Sequence, residues 1–445
     1  MGSWIAAPVF ERTRIAGRGV LMNHQPKMVQ HTSLVVRSVY AERPMTNTTD
    51  GPLSGLRVID CSGMISGGFA TTQLADFGAD VIMVEHPKHG DPIRAWPPFQ
   101  DDVSLWWKSI GRNKRCVTLD LSSDRGAALL LELIEGADIF FENFRPGTLE
   151  GWGIGPKQLR SVNEELIVVR LSGYGQTGPR SEKPGFGTVA EGLSGWAHAN
   201  GFPDREPLLP PISLADLSAA QFAIQAAMFA IFERDVTGSG VGQTIDVSLY
   251  EPLFRLFLGD VESYDRTGEI RERTGNQHPN TAPRNVYETA DGYMTLSASS
   301  QRIFENVMDA IGRADLISDP RFETNEKRVD NATELDAVIE EWTRQRSTDE
   351  AITEMEAADA IVGPVYTMAD IFEDEQYEAR NDIVSVEDDD VGDVRTAGPV
   401  PKFSRTPGEV THMGPRHGEH NEEVYLEELD LPPEEYDTLI EEGVI

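Results

Sequence analysis

Lysine and cysteine are scarce in this sequence, and acidic residues far outnumber basic ones. Of its 445 residues, 39 are Lys or Arg and 74 are Asp or Glu, so the formal net charge at pH 7 is −35. Such a surface repels nucleic-acid phosphates and anionic lipids, which are bound by clusters of basic residues. We therefore predict no nucleic-acid partner and no membrane partner.

The shortage of lysine also bears on the solvent. Only 8 of the basic residues are lysines. Strong self-repulsion with few lysines suits a salt-rich cytoplasm, where screening acts over roughly 3 Å at 1 M salt. The composition favours a halophilic, haloarchaeal protein, and an ordinary acidic enzyme is the alternative.

The two cysteines, Cys61 and Cys116, lie in strand-like apolar runs and match no metal-binding spacing. A reduced cytoplasmic protein without a metal site is the simpler interpretation. No stretch approaches the roughly 18 apolar residues that a membrane-spanning helix needs, so we predict a soluble chain.

Residues 1–44 differ from the rest in charge, with six basic residues but only two acidic ones, Glu11 and Glu42. They have no continuous apolar core of a signal peptide, and a transit peptide would fit a salt-adapted protein poorly. We predict that residues 1–51 form a disordered extension and that translation of the native protein starts at Met45.

Short apolar runs alternate with helical patterns from Pro52 onward. Strand-like runs occur at residues 56–60, 81–84, 139–141 and 166–169, and a helical pattern covers residues 125–136. This alternation is typical of βαβ units around a parallel sheet. The predicted fold class is therefore α/β, with a large domain of parallel strands and helices at residues 52–250.

The chain becomes more polar after this domain, and we interpret residues 251–284 as a linker and an active-site loop. Regular patterns then resume, with strands predicted at 293–298 and 361–366 and helices at 302–311, 334–344 and 348–357. They predict a smaller α+β domain at residues 285–375. Residues 376–445 are predicted to return to the large domain.

Asp216 is the carboxylate with the most informative surroundings. Small and apolar residues recur at helical spacing from Ala219, which indicates an amphipathic helix to about Arg234 with Asp216 at or near its N-cap. Capping is the default use of an aspartate there, because its oxygen accepts amide protons of the first turn. The alternative is a nucleophile whose ionised form the helix N-terminus stabilises.

Six further stretches connect this segment to a known family. They are GLRVIDCSGMISGGFATTQLADFGADVIMVEHPKHGDPIR, GRNKRCVTLDL, ADIFFENFRPGTLEGWGI, LSGYGQTGP, GPVYTMADIFEDEQ and GEHNEEVYLEELDL. In this order they resemble the class III CoA-transferases, the family of formyl-CoA transferase and the carnitine CoA-transferases. The resemblance places Asp216 at the family's catalytic aspartate. It implies a Rossmann-like large domain, a small domain, an interlocked homodimer and no permanently bound cofactor, with CoA and acyl-CoA as substrates.

The resemblance also implies site residues. Predicted CoA-binding residues are Met64, Ile65, Lys114, Arg115, Asn143, Phe144, Arg145 and Tyr174, and predicted substrate-binding residues are Gln176, His278 and Arg284. Lys114 and Arg115 are expected to contact phosphate, and Asn143 to Arg145 to line the adenine and pantetheine path. The alternatives are structural, a solvated charge for Lys114 and a tight glycine-rich turn around Tyr174.

Some positions depart from the family. His86 stands where formyl-CoA transferase has an arginine, and Gly151 and Ser172 replace other cations, so Arg94 or Arg145 is a further phosphate candidate. TGNQHPNTAPRN replaces a polyglycine flap. This change argues against formyl-CoA and oxalate and makes His278 and Arg284 candidates for binding a second carboxylate, which suits the forked donors of arginine.

Three functions compete. The first is CoA transfer from succinyl-CoA to a short dicarboxylic acid such as mesaconate, through aspartyl anhydride and aspartyl-CoA thioester intermediates. The second is an α-methylacyl-CoA racemase, in which the GYG turn reads GHD; Tyr174 is a poor base near neutral pH, which favours transfer. The third is a non-catalytic acyl-CoA-binding protein.

Overall fold

The computed structural model describes residues 51–445. The predicted disordered extension, apart from its last residue, and the predicted start at Met45 lie outside the described residues. The residues that are described belong to one compact unit.

The described strands, in chain order, are β1 Arg57–Asp60, β2 Asp80–Glu85, β3 Phe99–Gln100, β4 Val103–Ser104, β5 Arg115–Thr118, β6 Ile139–Glu142, β7 Ile167–Ser172, β8 Thr244–Ser248, β9 Arg284–Glu288, β10 Tyr293–Ser297, β11 Val362–Pro364, β12 Ile383–Val386 and β13 Val394–Ala397.

The α-helices are α1 Met64–Asp76, α2 Leu105–Ile110, α3 Asp124–Glu135, α4 Thr148–Gly151, α5 Pro156–Val162, α6 Gly187–Leu193, α7 Trp196–Ala199, α8 Leu214–Phe232, α9 Glu251–Arg255, α10 Asp260–Thr267, α11 Gln301–Ala310, α12 Asn325–Asp330, α13 Ala332–Thr343, α14 Thr348–Glu356, α15 Met368–Glu373, α16 Glu375–Ala379 and α17 Pro433–Glu442. Short 3-10 helices cover Pro92–Ala95 and Ala314–Ser318, and π-helical turns cover Glu233–Thr237 and Glu423–Glu428.

Six strands form one parallel sheet in the order β5-β2-β1-β6-β7-β8. In its centre Val58 pairs with Val81 on one side and with Ile139 on the other. Strands β6 and β7 are buried along their whole length, as expected where helices cover both faces of a parallel sheet. The predicted α/β fold with a parallel sheet is confirmed.

Serine hydroxyls fix the starts of several helices. Ser123 accepts from the amide of Gly126 at the start of α3, and Ser300 accepts from Ile303 at the start of α11. Such caps satisfy backbone donors that have no partner inside the helix. They explain why these helices begin within a residue of the predicted positions.

The segment 420–445 closes the β5 edge of the sheet. The amide of Cys116 donates to Nδ1 of His420 at 3.1 Å, and the amide of Asp120 donates to the carbonyl of Val444 at 2.7 Å. Tyr425 and Leu439 are buried in the same apolar core as Ile59 of β1. The segment is therefore part of the structure that holds this sheet.

A second, antiparallel sheet has the order β11-β10-β9. It has its own core, in which Met294 and Leu296 of β10 pack with Phe304 of α11 and Ile339 of α13. This arrangement matches the predicted strand and helix pattern of residues 293–357. The predicted domain boundaries stay predictions.

Helix α8 begins earlier than its apolar pattern indicated. Its N-cap is Ser213, so Asp216 is the third residue of the first turn and does not occupy the cap. Ala219, Ala223 and Ala227 are fully buried, and small side chains of this kind let α8 approach α1 closely. Helices α8 and α1 are thereby packed against each other.

The stretch Leu214–Thr237, which comprises α8 and its π-helical continuation, is long and apolar enough to cross a membrane by length and composition, with a mean hydropathy of 1.4. The prediction that no segment approaches this limit is therefore wrong. The core helix of a soluble protein has the same properties, and 33% of the most apolar 18-residue window of this stretch is buried inside this fold. The predicted cytoplasmic location stays a prediction.

Candidate active site

A cavity of about 390 Å³ opens at the carboxyl ends of the central strands. Its lining comes from the segments that follow β1, β2, β5 and β6: Cys61, Ser62, Gly63, Glu85, His86, Asp120, Leu121, Ser122, Phe144 and Trp152 among others. The chain runs outward from β1 in one direction and from β6 in the other. Open α/β sheets bind ligands at such a switch point, and we call this cavity the switch-point pocket.

The turn between β1 and α1 forms one wall of the switch-point pocket. Asn143 holds this turn, because its side chain accepts from the amide of Gly63 at 3.0 Å and donates to the carbonyl of Gly63 at 2.6 Å. The Met64 amide donates to Asp91 at 3.0 Å, and Met64 has a φ of 65°. Ile65 is buried in an apolar cluster. The predicted contacts at Met64, Ile65 and Asn143 thus lie together, with much of their polarity used to shape the turn.

Phe144 lies at the switch-point pocket. It lines the pocket and meets Trp152 edge to face, with ring centroids 5.2 Å apart. Arg145, next in the chain, is exposed. Of the predicted adenine and pantetheine contacts, Phe144 lines the pocket and Arg145 is exposed next to it in the chain; their role as CoA contacts stays a prediction.

The structure corrects the roles predicted for Lys114 and Arg115. Lys114 is fully buried, and its ammonium group donates to Asp60 at 3.2 Å and to the carbonyl of Gly68 at 2.9 Å. Neither its charge nor its surface is accessible to a phosphate. It neutralises a buried carboxylate beneath the turn that follows β1.

Arg115 is paired in the same way. Its guanidinium group binds Asp80 at 2.7 Å, Glu423 at 2.9 Å and also Glu428. These carboxylates raise the pKa of Arg115 against the opposing effect of burial. The residue joins the start of β2 to the segment 420–445, and all three of its guanidinium nitrogens are used in these contacts.

Arg94 is also engaged. It binds both oxygens of Glu85, at 2.7 and 2.6 Å, and its guanidinium carbon lies 3.6 Å from the centre of the Trp107 ring. This pairing corrects its assignment as a phosphate contact. His86 lines the pocket instead. The hydrogen bonds from Ser122 are the main cause that lowers the pKa of Asp120, and the charges of His86 and Lys88 lower it further.

Asp216 lies half-buried in the first turn of α8. Burial is the main cause that raises its pKa, to about 6, and the charge of Glu191 adds to the effect, against a lowering by its own backbone amide. A carboxyl group with this pKa is still mostly ionised at pH 7. Asp216 is therefore an available anion without a cationic partner in the described chain.

An apolar cluster connects Asp216 to the switch-point pocket. Leu217, the next residue of α8, packs on the cluster that contains Ile65 and Trp107, and Met64 packs on the same cluster. The first turn of α8 and the start of α1 therefore pack against the same apolar cluster.

Tyr174 and Gln176 lie in a tight turn after β7. Gly175 has a φ of 86°, and the amide of Gln176 donates to Asp246 at 2.8 Å. Nε2 of Gln176 is buried and has no hydrogen-bond partner among the described residues, so it is a donor available to a ligand. Tyr174 lines a second cavity, of about 460 Å³, with Arg180 and other residues.

His278 and Arg284 neighbour each other but contact no other predicted site residue in the described chain. Burial lowers the pKa of His278, and the charges of Arg284 and Arg271 lower it further. Arg284 is exposed at the start of β9. Within residues 51–445 no hydrogen bond or ion pair joins either residue to Asp216.

Two neighbours of Asp216 were not found from the sequence. A Cβ atom added to Gly187 would overlap Oδ2 of Asp216, and Glu191 is a buried carboxylate whose oxygen is 3.4 Å from the amide of Ala215. Both belong to α6. A glycine and a glutamate four residues apart have no distinguishing pattern until α6 is placed against α8.

Comparisons with known proteins define the family. Residues 53–421 match the family model of CoA-transferase family III. The chain is 40% identical over 396 residues to a succinyl-CoA–D-citramalate CoA-transferase of Chloroflexus aurantiacus, covering 88% of this chain and 98% of that protein. It is 36% identical to the alpha subunit of a succinyl-CoA–L-malate CoA-transferase from the same organism, covering 90% and 94%.

A solved structure has the same fold. The crystal structure of a CAIB/BAIF family protein from Brucella suis superimposes with a TM-score of 0.76 at 30% identity, covering 85% of this chain and 99% of that one. The chain belongs to CoA-transferase family III. It is a CoA-transferase, as its sequence motifs predicted.

Proposed function

We propose that this enzyme moves CoA from succinyl-CoA to a short dicarboxylic acid of four or five carbons, such as mesaconate, with Asp216 as the nucleophile. The observation that carries the proposal is the unpaired, half-buried Asp216 carboxylate beside the turn that forms one wall of the switch-point pocket. Both curated relatives described above are named for a succinyl-CoA donor and a four- or five-carbon dicarboxylate acceptor.

The chemistry proceeds in two symmetrical halves. An oxygen of Asp216 attacks the thioester carbonyl of succinyl-CoA, the C–S bond breaks, and its electron pair leaves with sulfur as CoA thiolate. The thiolate attacks the aspartyl carbonyl of the resulting anhydride and expels succinate, which leaves an aspartyl-CoA thioester. The acceptor carboxylate attacks that thioester and displaces CoA thiolate. The thiolate then attacks the acceptor's acyl carbon and releases Asp216. Each step conserves an activated acyl group.

The switch-point pocket is the proposed binding site for the nucleotide end of CoA. Phe144 and Trp152 offer apolar ring surface there, and adenine has a flat apolar face. Since Lys114, Arg115 and Arg94 are paired inside the fold, the phosphates are assigned to His86, which lines the pocket, and to the exposed Lys88 and Arg145. CoA and its thioesters are substrates, and no permanently bound cofactor is assigned.

The acceptor acid is assigned to donors on loops. Nε2 of Gln176 is a buried donor without a partner in residues 51–445, and Tyr174 lies two residues before it. Arg284 supplies positive charge for the second carboxylate of the acid, and His278, whose pKa is lowered by burial and by the charges of Arg284 and Arg271, supplies a hydrogen bond from a neutral imidazole. A bidentate contact with an arginine is the geometry that carboxylates favour.

The enzyme is further proposed to be a homodimer, interlocked as the family resemblance implies. Large apolar side chains are exposed on one stretch of the chain, including Phe186, Phe229, Phe232, Leu258 and Ile270. Exposed apolar surface of this extent marks an interaction surface, and a second copy of the chain is the proposed occupant. Light scattering at high salt would give twice the chain mass of 49.2 kDa; a monomer mass would refute this assignment.

Intact-mass spectrometry tests the central proposal. The enzyme would be incubated with succinyl-CoA at high salt, trapped with hydroxylamine or borohydride, and then offered a panel of dicarboxylic acids. We expect an adduct at Asp216 and release of a new CoA ester, and no adduct in Asp216→Ala. An unmodified Asp216 in an enzyme that still exchanges CoA would refute its role as nucleophile.

A further inference from the structure

Helix α6 presents two residues to the first turn of α8. Gly187 and Glu191 are four residues apart, so they lie on the same face of α6. Gly187 abuts the carboxylate of Asp216, and Glu191 reaches the amide of Ala215, the second residue of α8. The absence of a side chain at Gly187 brings the two helices together, and Glu191 then faces the N-terminal turn that carries Asp216.

The Glu191 side chain is buried, with 3% of its surface exposed. In the described part of the chain no Lys, Arg or His forms an ion pair with it. A buried carboxylate without a cation is costly in free energy, and the amide groups of a helix N-terminus are the compensation that this structure provides. Two carboxylates therefore share one helix N-terminus, and one of them is the nucleophile.

No other charge on the packed elements has this influence. The titratable groups on the elements that pack against α8 are Asp76 on α1, Glu191 on α6, Arg170 on β7, Asp246 on β8, and Glu251 and Arg255 on α9. The π-helical turn Glu233–Thr237 lies at the opposite end of α8. Among these groups Glu191 is the one whose charge raises the pKa of Asp216.

We propose that Glu191 is a positioning residue for Asp216: its negative charge makes the free Asp216 carboxylate less stable, and this repulsion disappears when Asp216 is acylated. The inference rests on the proposed function, in which Asp216 becomes first an anhydride and then a thioester, both uncharged at the aspartyl group. An interaction that is unfavourable in the free enzyme and absent in the intermediate lowers the free energy of acylation. When the anhydride forms, the negative charge of Asp216 passes to the CoA thiolate. When the thioester forms, that charge is carried by the released carboxylate product.

The same repulsion makes Asp216 a stronger base and hence a better nucleophile. Glu191→Gln keeps the size and hydrogen-bonding capacity of the side chain but removes its charge. Two opposite changes are therefore expected in this variant. Asp216 becomes ionised at lower pH, and its reactivity when fully ionised falls.

The experiment measures the pH dependence of the rate at which Asp216 acquires CoA from succinyl-CoA, by rapid quench and intact-mass spectrometry of the full chain. At pH 5 the wild type retains about one tenth of its plateau rate, since that pH is one unit below the pKa of Asp216, about 6. E191Q is expected to retain at least ~3-fold more of its own plateau, while the plateau itself falls. Glu135→Gln, on the exposed face of α3, is the matched control for loss of one charge and should follow the wild type.

A purely structural role for Glu191 would lower the rate equally at every pH. An unshifted acid limb in folded E191Q would overturn the inference. Glu191→Asp provides a second variant, because it keeps the charge but withdraws it by one methylene. The acid limb of its pH profile should lie between those of the wild type and E191Q. An acid limb identical to that of the wild type would count against the inference. Failure of the proposed function is a different result, since the wild type itself would then acquire no CoA.

Discussion

Replacing Asp216 by asparagine should make the protein more stable at neutral pH, because the ionised carboxylate is held in a half-buried site without a cationic partner. The pKa rises from 3.8 to about 6 in the folded chain. Each unit corresponds to about 1.4 kcal/mol, so ionisation of Asp216 costs at most about 3 kcal/mol of folding free energy. Partial exposure reduces this value, and we expect a gain of about 1–2 kcal/mol in Asp216→Asn at pH 7.

The gain should depend on pH with a defined sign. A carboxyl group with a raised pKa favours the folded state below its unfolded pKa, near 3.8, and this contribution is lost as the pH rises through 6. The amide side chain of the variant cannot titrate. The difference in stability between variant and wild type should therefore be small at pH 4, grow between pH 4 and 6, and stay constant above pH 7.

Denaturant unfolding at fixed high salt, followed by tryptophan fluorescence at pH 4 to 8, provides the measurement. Asp319→Asn is a control of opposite sign, because hydrogen bonds from Arg321 lower the pKa of Asp319 to about 2. It should be no more stable than the wild type at pH 7. A difference between Asp216→Asn and the wild type that does not vary with pH, or a variant that is less stable throughout, would refute the assigned environment of Asp216.

Three further predictions concern the site. Lys114→Met should destabilise the fold by about 3–5 kcal/mol, because it leaves Asp60 buried without its cation; unfolding curves measure this loss, and a stable variant would contradict the structural role of Lys114. Gly187→Ala should lower kcat at least ~10-fold with little change in KM for succinyl-CoA, since the new Cβ displaces the Asp216 carboxylate; unchanged kcat would show that the carboxylate does not need this position. Arg284→Ala should raise KM for the acceptor acid more than KM for succinyl-CoA; equal effects would reject its assignment.

The parallel sheet was predictable because its strands are short apolar runs separated by helical patterns, and a strand covered on both faces needs no alternation. The start of α8 was harder. Its first turn contains Leu214, Ala215 and Asp216, where a single carboxylate interrupts the apolar pattern. The pattern from Ala219 therefore indicated the body of the helix but not its first turn.

The paired cations could not be recognised from local sequence. Lys114 and Arg115 follow Asn113 in a stretch that resembles a nucleotide-contact segment. What determines their role is the position of acidic residues far away in the chain, Asp60 for Lys114 and Glu423 for Arg115. Arg115 and Glu423 are 308 residues apart in the chain. A local sequence pattern cannot predict a contact between residues so far apart.

The Glu191 carboxylate was missed for the same reason. Its helix, α6, is seven residues long, and its sequence GTVAEGL has one charged residue, which in a short polar segment is usually exposed to solvent. Glu191 is buried because α6 packs on α8, and this packing could not be predicted from the sequence of α6. Sequence thus identified the candidate nucleophile through a family motif but not the charge beside it.

The closure of the β5 edge has a consequence for synthesis of the chain on the ribosome. The partner of Cys116 is His420, which is synthesised 304 residues later. Until then the outward amides of β5 have no partner from that segment, and an open strand edge is a template for pairing with other chains. At about 5–20 residues per second the nascent protein carries this exposed edge for roughly 15–60 seconds. Chaperone binding and aggregation during expression should therefore concentrate in that interval, and a slow codon between residues 120 and 420 would prolong it.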